Sequence, residues 1–147
     1  METERLLDDA GKEILRALQD NARISFAELG RKVGLSGPAI TDRVRKMEEA
    51  GIIAGYHAHV NAAKIGFPVT GFVRMQISRE NFQKVIAMAR DTPEVRECHH
   101  SSGDDTFFLK VVATSEEQLE RLMDPFRPFG EVHTAVIIST PVEKYST

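Results

Sequence analysis

The sequence predicts an α+β protein in two small parts, a helical N-terminal half and a βαββαβ C-terminal half. Three observations carry this. Residues 8–51 keep apolar side chains at helical spacing. Residues 69–138 alternate strand-like and helix-like segments. Between them, Gly66-Phe67-Pro68 breaks the pattern. With 147 residues, 41% hydrophobic and 28% charged, the chain can bury a core in each half, though each core is modest.

The first long helix is expected over Asp9 to Asp20, with Ile14, Leu15 and Leu18 on one face. Ser25-Phe26-Ala27-Glu28 is a capping box that opens a second helix, with Ile24 and Leu29 in staple positions. That helix ends at Val33-Gly34. A third starts at Ser36, with Leu35 and Ile40 as its staple and Pro38 in its first turn. Ile40, Val44 and Met47 line its apolar face, and Gly51 stops it. The stretch 52–60 is β-prone and predicts a linker strand.

In the second half, Val69 to Ser78 alternates as a strand, with Val69, Gly71, Val73, Met75 and Ile77 on one side. A helix over 80–90 follows, then strands over 95–101 and 106–113 joined by the turn Ser102-Gly103-Asp104-Asp105. Ser115-Glu116-Glu117-Gln118 opens a last helix carrying Leu119, Leu122, Met123 and Phe126 inward, and 131–139 forms the last strand. This order is ferredoxin-like. Helices cover one sheet face, so Phe72, Phe108, Val112, Ala135 and Ile137 are expected on an open apolar face. Such a face calls for a second copy of the chain.

The second and third helices, joined through Gly34-Leu35-Ser36, form a candidate helix-turn-helix. Leu29, Val33, Leu35, Ile40 and Val44 set the interhelical angle, and the third helix can enter a major groove by its N-terminal end. Residues 31–46 hold five basic residues (Arg31, Lys32, Arg43, Arg45, Lys46) against one acid, Asp42, a local +4 in a chain of net −3. Residues 1–30 hold four basic and seven acidic residues, so the positive charge is focused at the motif. Ser36, Gly37, Ala39, Thr41 and Asp42 lie away from the apolar stripe. Thr41 can reach a base or a thymine methyl. Arg31, Arg43, Arg45 and Lys46 suit phosphates. Arg43 borders the stripe and can pack internally. Asp42 needs a base amine or a neighbouring arginine. The competing reading is a three-helix core with a solvated basic face.

Three stretches together resemble the Lrp/AsnC family of transcription regulators. They are residues 14–35, from Ile14-Leu15-Arg16 through the Gly34-Leu35 turn; residues 43–66, from Arg43-Val44-Arg45 to Gly66; and residues 93–111, around Gly103-Asp104-Asp105-Thr106. The resemblance spans nearly the whole chain. It implies a winged helix-turn-helix DNA-binding domain over 1–52, a β-strand linker over 53–67, and a ferredoxin-like effector-binding and oligomerisation domain over 68–147. It further implies sheet-paired dimers or larger tetramers and octamers, and a small-molecule effector, an amino acid, held at subunit interfaces. The implied partner is double-stranded DNA. The implied effector residues are Gly103, Asp104, Asp105 and Thr106, whose amides and carboxylates suit a zwitterion, with Thr134 at the family's usual threonine position. The chain departs from the family at Gly11, where Asp is usual, and at Thr106, which replaces an Asp that follows an aromatic residue. The competing reading of the turn is an ordinary solvated hairpin.

Other constellations carry less. His99 and His100 are adjacent on a strand and point to opposite faces. His57 and His59 share a face of the linker strand without a third ligand. Cys98, the single cysteine, excludes an intramolecular disulfide and reads as a small core residue. No metal, cofactor or enzymatic activity is expected. No apolar run reaches about 18 residues, so no membrane span is expected. The polar start Met1-Glu2-Thr3-Glu4-Arg5 has no signal-peptide pattern, and a cytoplasmic location follows. Two alternatives stand beside the regulator: a tetrapyrrole decarboxylase-like enzyme using His99 and His100, and a metabolite-sensing assembly module that does not bind DNA.

Overall fold

The computed structural model describes residues 2–104 and 106–144 and forms two units, one running to His59 and taking in the stretch from Val142, the other Val60–Pro141. In the first, α1 (Glu2–Leu6), α2 (Asp9–Asp20), α3 (Phe26–Val33) and α4 (Gly37–Glu49) surround one core. Ile14, Leu29, Ile40 and Met47 are fully buried in it, with Leu6, Leu18, Ile24 and Val44 close behind. The expected bounds of α2 and the start and stop of α3 and α4 hold. Gly51 at φ +69 ends α4, its N–H returning to the Glu48 carbonyl at 3.0 Å and that of Ile52 to Met47 at 2.9 Å. This double return satisfies two orphan carbonyls of the last turn.

Two features differ from the sequence expectation. The first is α1. Leu6 drops into the core, and its carbonyl oxygen passes only 1.8 Å from where a Cβ on Gly11 would sit. Gly11 is therefore a close-approach residue on α2, which is why a side chain would displace α1. The second is the linker. No strand forms over 53–67 among the described residues; a loop leads into a 3₁₀ turn at Ala62–Ile65. β-prone residues without a neighbouring strand of the same chain have no ladder to join. His57 and His59 accordingly share no strand face.

The second unit is a four-stranded antiparallel sheet, order β2-β3-β1-β4, from β1 (Val69–Ile77), β2 (Val95–His100), β3 (Phe107–Ala113) and β4 (Gly130–Val136). α5 (Phe82–Asp91) and α6 (Glu116–Met123) supply its helical layer. Val73, Met75, Phe107, Leu109 and Val111 form the sheet side of the core, and Val85, Ala89, Leu119, Met123 and Phe126 the helical side. β1 buries every second residue from Gly71 to Ile77, as its alternation predicts. Ser115 caps α6 through the Gln118 N–H at 3.0 Å. The Gln118 side chain reaches back past the cap to Thr114, at 2.6 Å from its N–H.

The opposite sheet face is open at Phe72 and Phe108, 51% and 38% exposed, and at Ala135. Ile137 lies past the end of β4, half-buried, with its N–H still bonded to the Thr70 carbonyl at 2.8 Å. Val112, expected on the open face, is buried instead. Cys98, expected in the core, is exposed on the edge strand β2. No helix among the described residues is long and apolar enough to cross a membrane.

Candidate functional site

The α3–turn–α4 corner is held by three local devices. Ser25 and Ser36 cap the two helices, their hydroxyls accepting from Glu28 N–H at 3.1 Å and Ala39 N–H at 3.4 Å. Gly34 takes φ +72, a left-handed position where other residues are strained. Leu35 N–H then returns to the Gly30 carbonyl at 3.0 Å. Gly30 is the device that sequence reasoning missed. It is buried, and a Cβ there would stand 2.6 Å from the Leu35 carbonyl oxygen. Its signal was a glycine inside an otherwise helical pattern, one turn before Gly34.

α4 buries Ile40, Val44 and Met47 and turns the rest outward. At roughly 100° per residue, Pro38, Asp42, Arg45 and Glu49 form the ridge opposite that stripe. Thr41 donates its hydroxyl proton to the Gly37 carbonyl at 3.0 Å, which leaves its methyl group as the free feature. Ser36 and Pro38 are exposed, while Gly37 and Ala39 are half-exposed. The basic residues of α4 all carry intramolecular partners. Arg45 bonds Asp42 at 2.9 Å and Glu49 at 2.5 Å, and Lys46 bonds Asp42 at 2.6 Å. Lys46 and then Arg45 hold the Asp42 carboxyl below its usual range. Arg31 and Lys32, exposed at the end of α3, form no ion pair among the described residues. In the sequence, Lys32 is marked only by its share of the local positive charge.

Arg43 is placed differently from its basic neighbours. It makes a two-pronged pair with Asp8, at 2.6 and 2.7 Å, and Asp8 also caps α2 through the Gly11 N–H at 2.8 Å. One carboxylate thus joins the start of α2 to the middle of α4. The Arg43 guanidinium, then the Gly11 N–H, lower the Asp8 pKa to about 2. A lowered folded value stabilises above the ordinary carboxyl value of 3.8 and loses that effect as pH falls towards about 2. Asp8→Asn keeps a capping oxygen but not the charge. It is expected to melt a few degrees below wild type at pH 7 and to match it near pH 2. Melts of both proteins from pH 7 to pH 2 check this; equal melts at pH 7 count against the clamp.

In the second unit, Gly103 and Asp104 are exposed at the β2–β3 turn. Asp105, expected in the same site, lies outside the described residues. Thr106 is engaged with β1. Its N–H donates to the Met75 carbonyl at 2.7 Å, its hydroxyl donates there at 3.1 Å, and the hydroxyl oxygen accepts from Ile77 N–H at 2.8 Å. Its carbonyl accepts from Ser101 N–H at 2.9 Å, closing the hairpin. Thr134 is elsewhere. It faces buried Val73 across β1–β4 and donates to Glu120 on α6. Glu120 in turn pairs with Arg127 at 2.6 Å. Within one chain, therefore, the turn and Thr134 are not brought together.

His99 and His100 do point to opposite faces. His99 bonds Glu97 at 3.0 Å. His100 packs on Phe107 and Phe82, ring centroids 5.2 and 4.8 Å apart. The two rings cannot converge on one ligand. Among the described residues, no three His, Cys, Asp or Glu side chains gather as a metal site. Cys98 lines an open groove of about 220 Å³ with Ile86, Ala89, Arg90 and Val95, and partial burial pushes its thiol pKa up. That disfavours a reactive thiolate.

Residues 7–54 match the family model described as winged helix-turn-helix DNA-binding, and residues 70–147 that of the Lrp/AsnC ligand binding domain. The chain is 37% identical over 134 residues to an uncharacterized HTH-type transcriptional regulator, YezC, of Bacillus subtilis, covering 91% of this chain and 95% of that one. The solved structure of B. subtilis LrpC superposes with a TM-score of 0.89 at 32% identity, over 94% of this chain and 99% of that one. A feast or famine regulatory protein from M. tuberculosis, complexed with L-methionine, gives a TM-score of 0.85 at 27% identity, over 93% and 95% of the two chains.

Proposed function

The chain belongs to the Lrp/AsnC family of transcription regulators, and on that premise we propose how it reads DNA and senses its effector. The observation that carries the reading is the capped corner of α3 and α4, built on Gly30 and Gly34, which leaves α4 free to lie in a major groove. Arg31 and Lys32 meet phosphates, because neither is paired to a carboxylate among the described residues. Ser36, Gly37 and Ala39 approach the backbone and base edges from the first turn of α4, and the Thr41 methyl packs on a thymine methyl. Asp42, Arg45 and Lys46 reach the groove as one ion-paired group. Arg43 sets the position of α4 through Asp8 and contributes a phosphate contact only by its exposed edge.

Copies of the chain pair through the open face carrying Phe72 and Phe108, since exposed aromatics on a flat sheet are stabilised by burial. The protein works in the cytoplasm as a dimer or a larger assembly. Its effector is an amino acid, by analogy with the L-methionine bound to the mycobacterial relative. The Gly103 N–H donates to the effector carboxylate, and the Asp104 carboxylate, together with Asp105, accepts from its ammonium group. Thr134 belongs to the same site only where a neighbouring chain completes it. The effector changes DNA binding if it favours one assembly geometry over another.

Calorimetry with an amino-acid pool tests the turn. Asp104→Ala is expected to weaken binding about tenfold or more while the melt stays unchanged. Thr106→Val is expected to do the reverse. It leaves the Ile77 N–H without its acceptor, which costs on the order of 1 kcal/mol of stability, with effector affinity nearly kept. Unaltered binding in Asp104→Ala removes the turn from the site.

A further inference from the structure

The outward ridge of α4 is the surface a groove would meet, and it is electrostatically balanced. Asp42 stands at its centre between Arg45 at 2.9 Å and Lys46 at 2.6 Å, and Glu49 holds the other side of Arg45 at 2.5 Å. Two acids therefore occupy Arg45 and Lys46, the two bases nearest that ridge. Asp42 is too far round the helix from Ile40 and Val44 to have any part in the core, and its side chain is 47% exposed. Among the described residues, its carboxylate pairs with these two cations. Nothing in the packing of the domain requires an acid there.

We propose that Asp42 is a specificity-determining residue that penalises binding to non-cognate DNA, and that a cognate site relieves the penalty by presenting a cytosine amino group to it. This deepens the DNA-binding reading and rests on it. On an arbitrary duplex, Arg45 and Lys46 must leave Asp42 to reach phosphates, and the carboxylate is then left facing phosphate and base acceptors. On a cognate site, cytosine N4–H donates to Asp42, which is the pairing an acid makes in the major groove. The repulsive element is as much a part of discrimination as the attractive one. Glu49 lies nearly two turns further along α4, towards the end that leaves the groove. It screens Arg45 without reading a base.

The test compares wild type, Asp42→Asn and Glu49→Gln on the protein's own upstream promoter duplex and on a scrambled duplex of equal length, across a salt series. Asp42→Asn is expected to bind the scrambled duplex about three- to tenfold more tightly, with a salt slope steeper by about one. The promoter gains less, so the promoter-to-scrambled ratio falls at least threefold. Binding-site selection with Asp42→Asn is expected to lose cytosine at one position per half-site and to take adenine there, the base an amide pairs with. Glu49→Gln is expected to tighten both duplexes equally. If Asp42→Asn also tightens both equally, or changes neither, Asp42 is not a discriminator and the proposal fails while the DNA reading stands. If wild type binds neither duplex, the DNA reading fails with it.

Discussion

Gly30→Ala is expected to destabilise the N-terminal unit and to weaken promoter binding at least tenfold, with assembly through the second unit unchanged. Two effects oppose each other at this position. In a helix interior, alanine is favoured over glycine by about 1 kcal/mol. Against this, the new Cβ would lie 2.6 Å from the Leu35 carbonyl oxygen, an atom of the main chain. Relief requires the turn to move, and Leu35 N–H is the group bonded to the Gly30 carbonyl at 3.0 Å. Overpacking of a well-packed site costs roughly 1–3 kcal/mol. A backbone neighbour cannot rotate away, so the steric effect wins. The displaced turn carries α4 with it, which is why DNA binding falls further than stability. Gly37→Ala is the matched control: no atom lies within 4 Å of its Cβ, and it sits at the first position of α4. It is expected to keep or raise the melting temperature. A Gly30→Ala protein that melts higher than wild type would show that propensity outweighs the clash.

Replacing Arg31 and Lys32 together by alanine is expected to lower DNA affinity roughly 10- to 100-fold at 0.1 M salt and to flatten the salt slope by about two. The two cations are singled out by what they lack. Arg43, Arg45 and Lys46 each hold a carboxylate within 3 Å, whereas neither Arg31 nor Lys32 has an ion-pair partner among the described residues. A cation already paired gains less from a phosphate than one that is free, because the first pair must be given up. The double variant should fold normally, since both side chains are exposed at the end of α3. Salt-series titrations on promoter DNA check the slope. A double variant with the wild-type slope would move the phosphate contacts onto the paired residues of α4.

Most of the architecture was legible because local chemistry and periodicity agreed. Ser25, Ser36 and Ser115 mark helix starts by a side-chain oxygen three residues before an orphan N–H, and all three caps form. The alternation of β1 specifies its buried face without knowledge of its neighbours. What escaped depends on contacts distant in sequence. Asp8 caps α2 locally, yet it also holds Arg43, 35 residues away. α1 is short and polar, and Leu6 anchors it over Gly11. Cys98 looked apolar enough for the core, but β2 is an edge strand, and that follows from sheet order rather than from composition. The linker strand failed for a related reason, the absence of a partner strand in the same chain. In the candidate effector site the turn itself was placed correctly on the β2–β3 connection. That Thr106 commits its hydroxyl to β1 follows from tertiary pairing, which no local pattern encodes.

Coupling of the DNA-reading corner to an effector-responsive assembly is measured by titrating the protein onto its own upstream promoter DNA across a salt series, with and without a pool of amino acids. Tight binding that falls steeply with salt and shifts when the pool is added is the expected result. Absence of binding to that promoter and to other genomic fragments at low salt, with the pool present or absent, would contradict it.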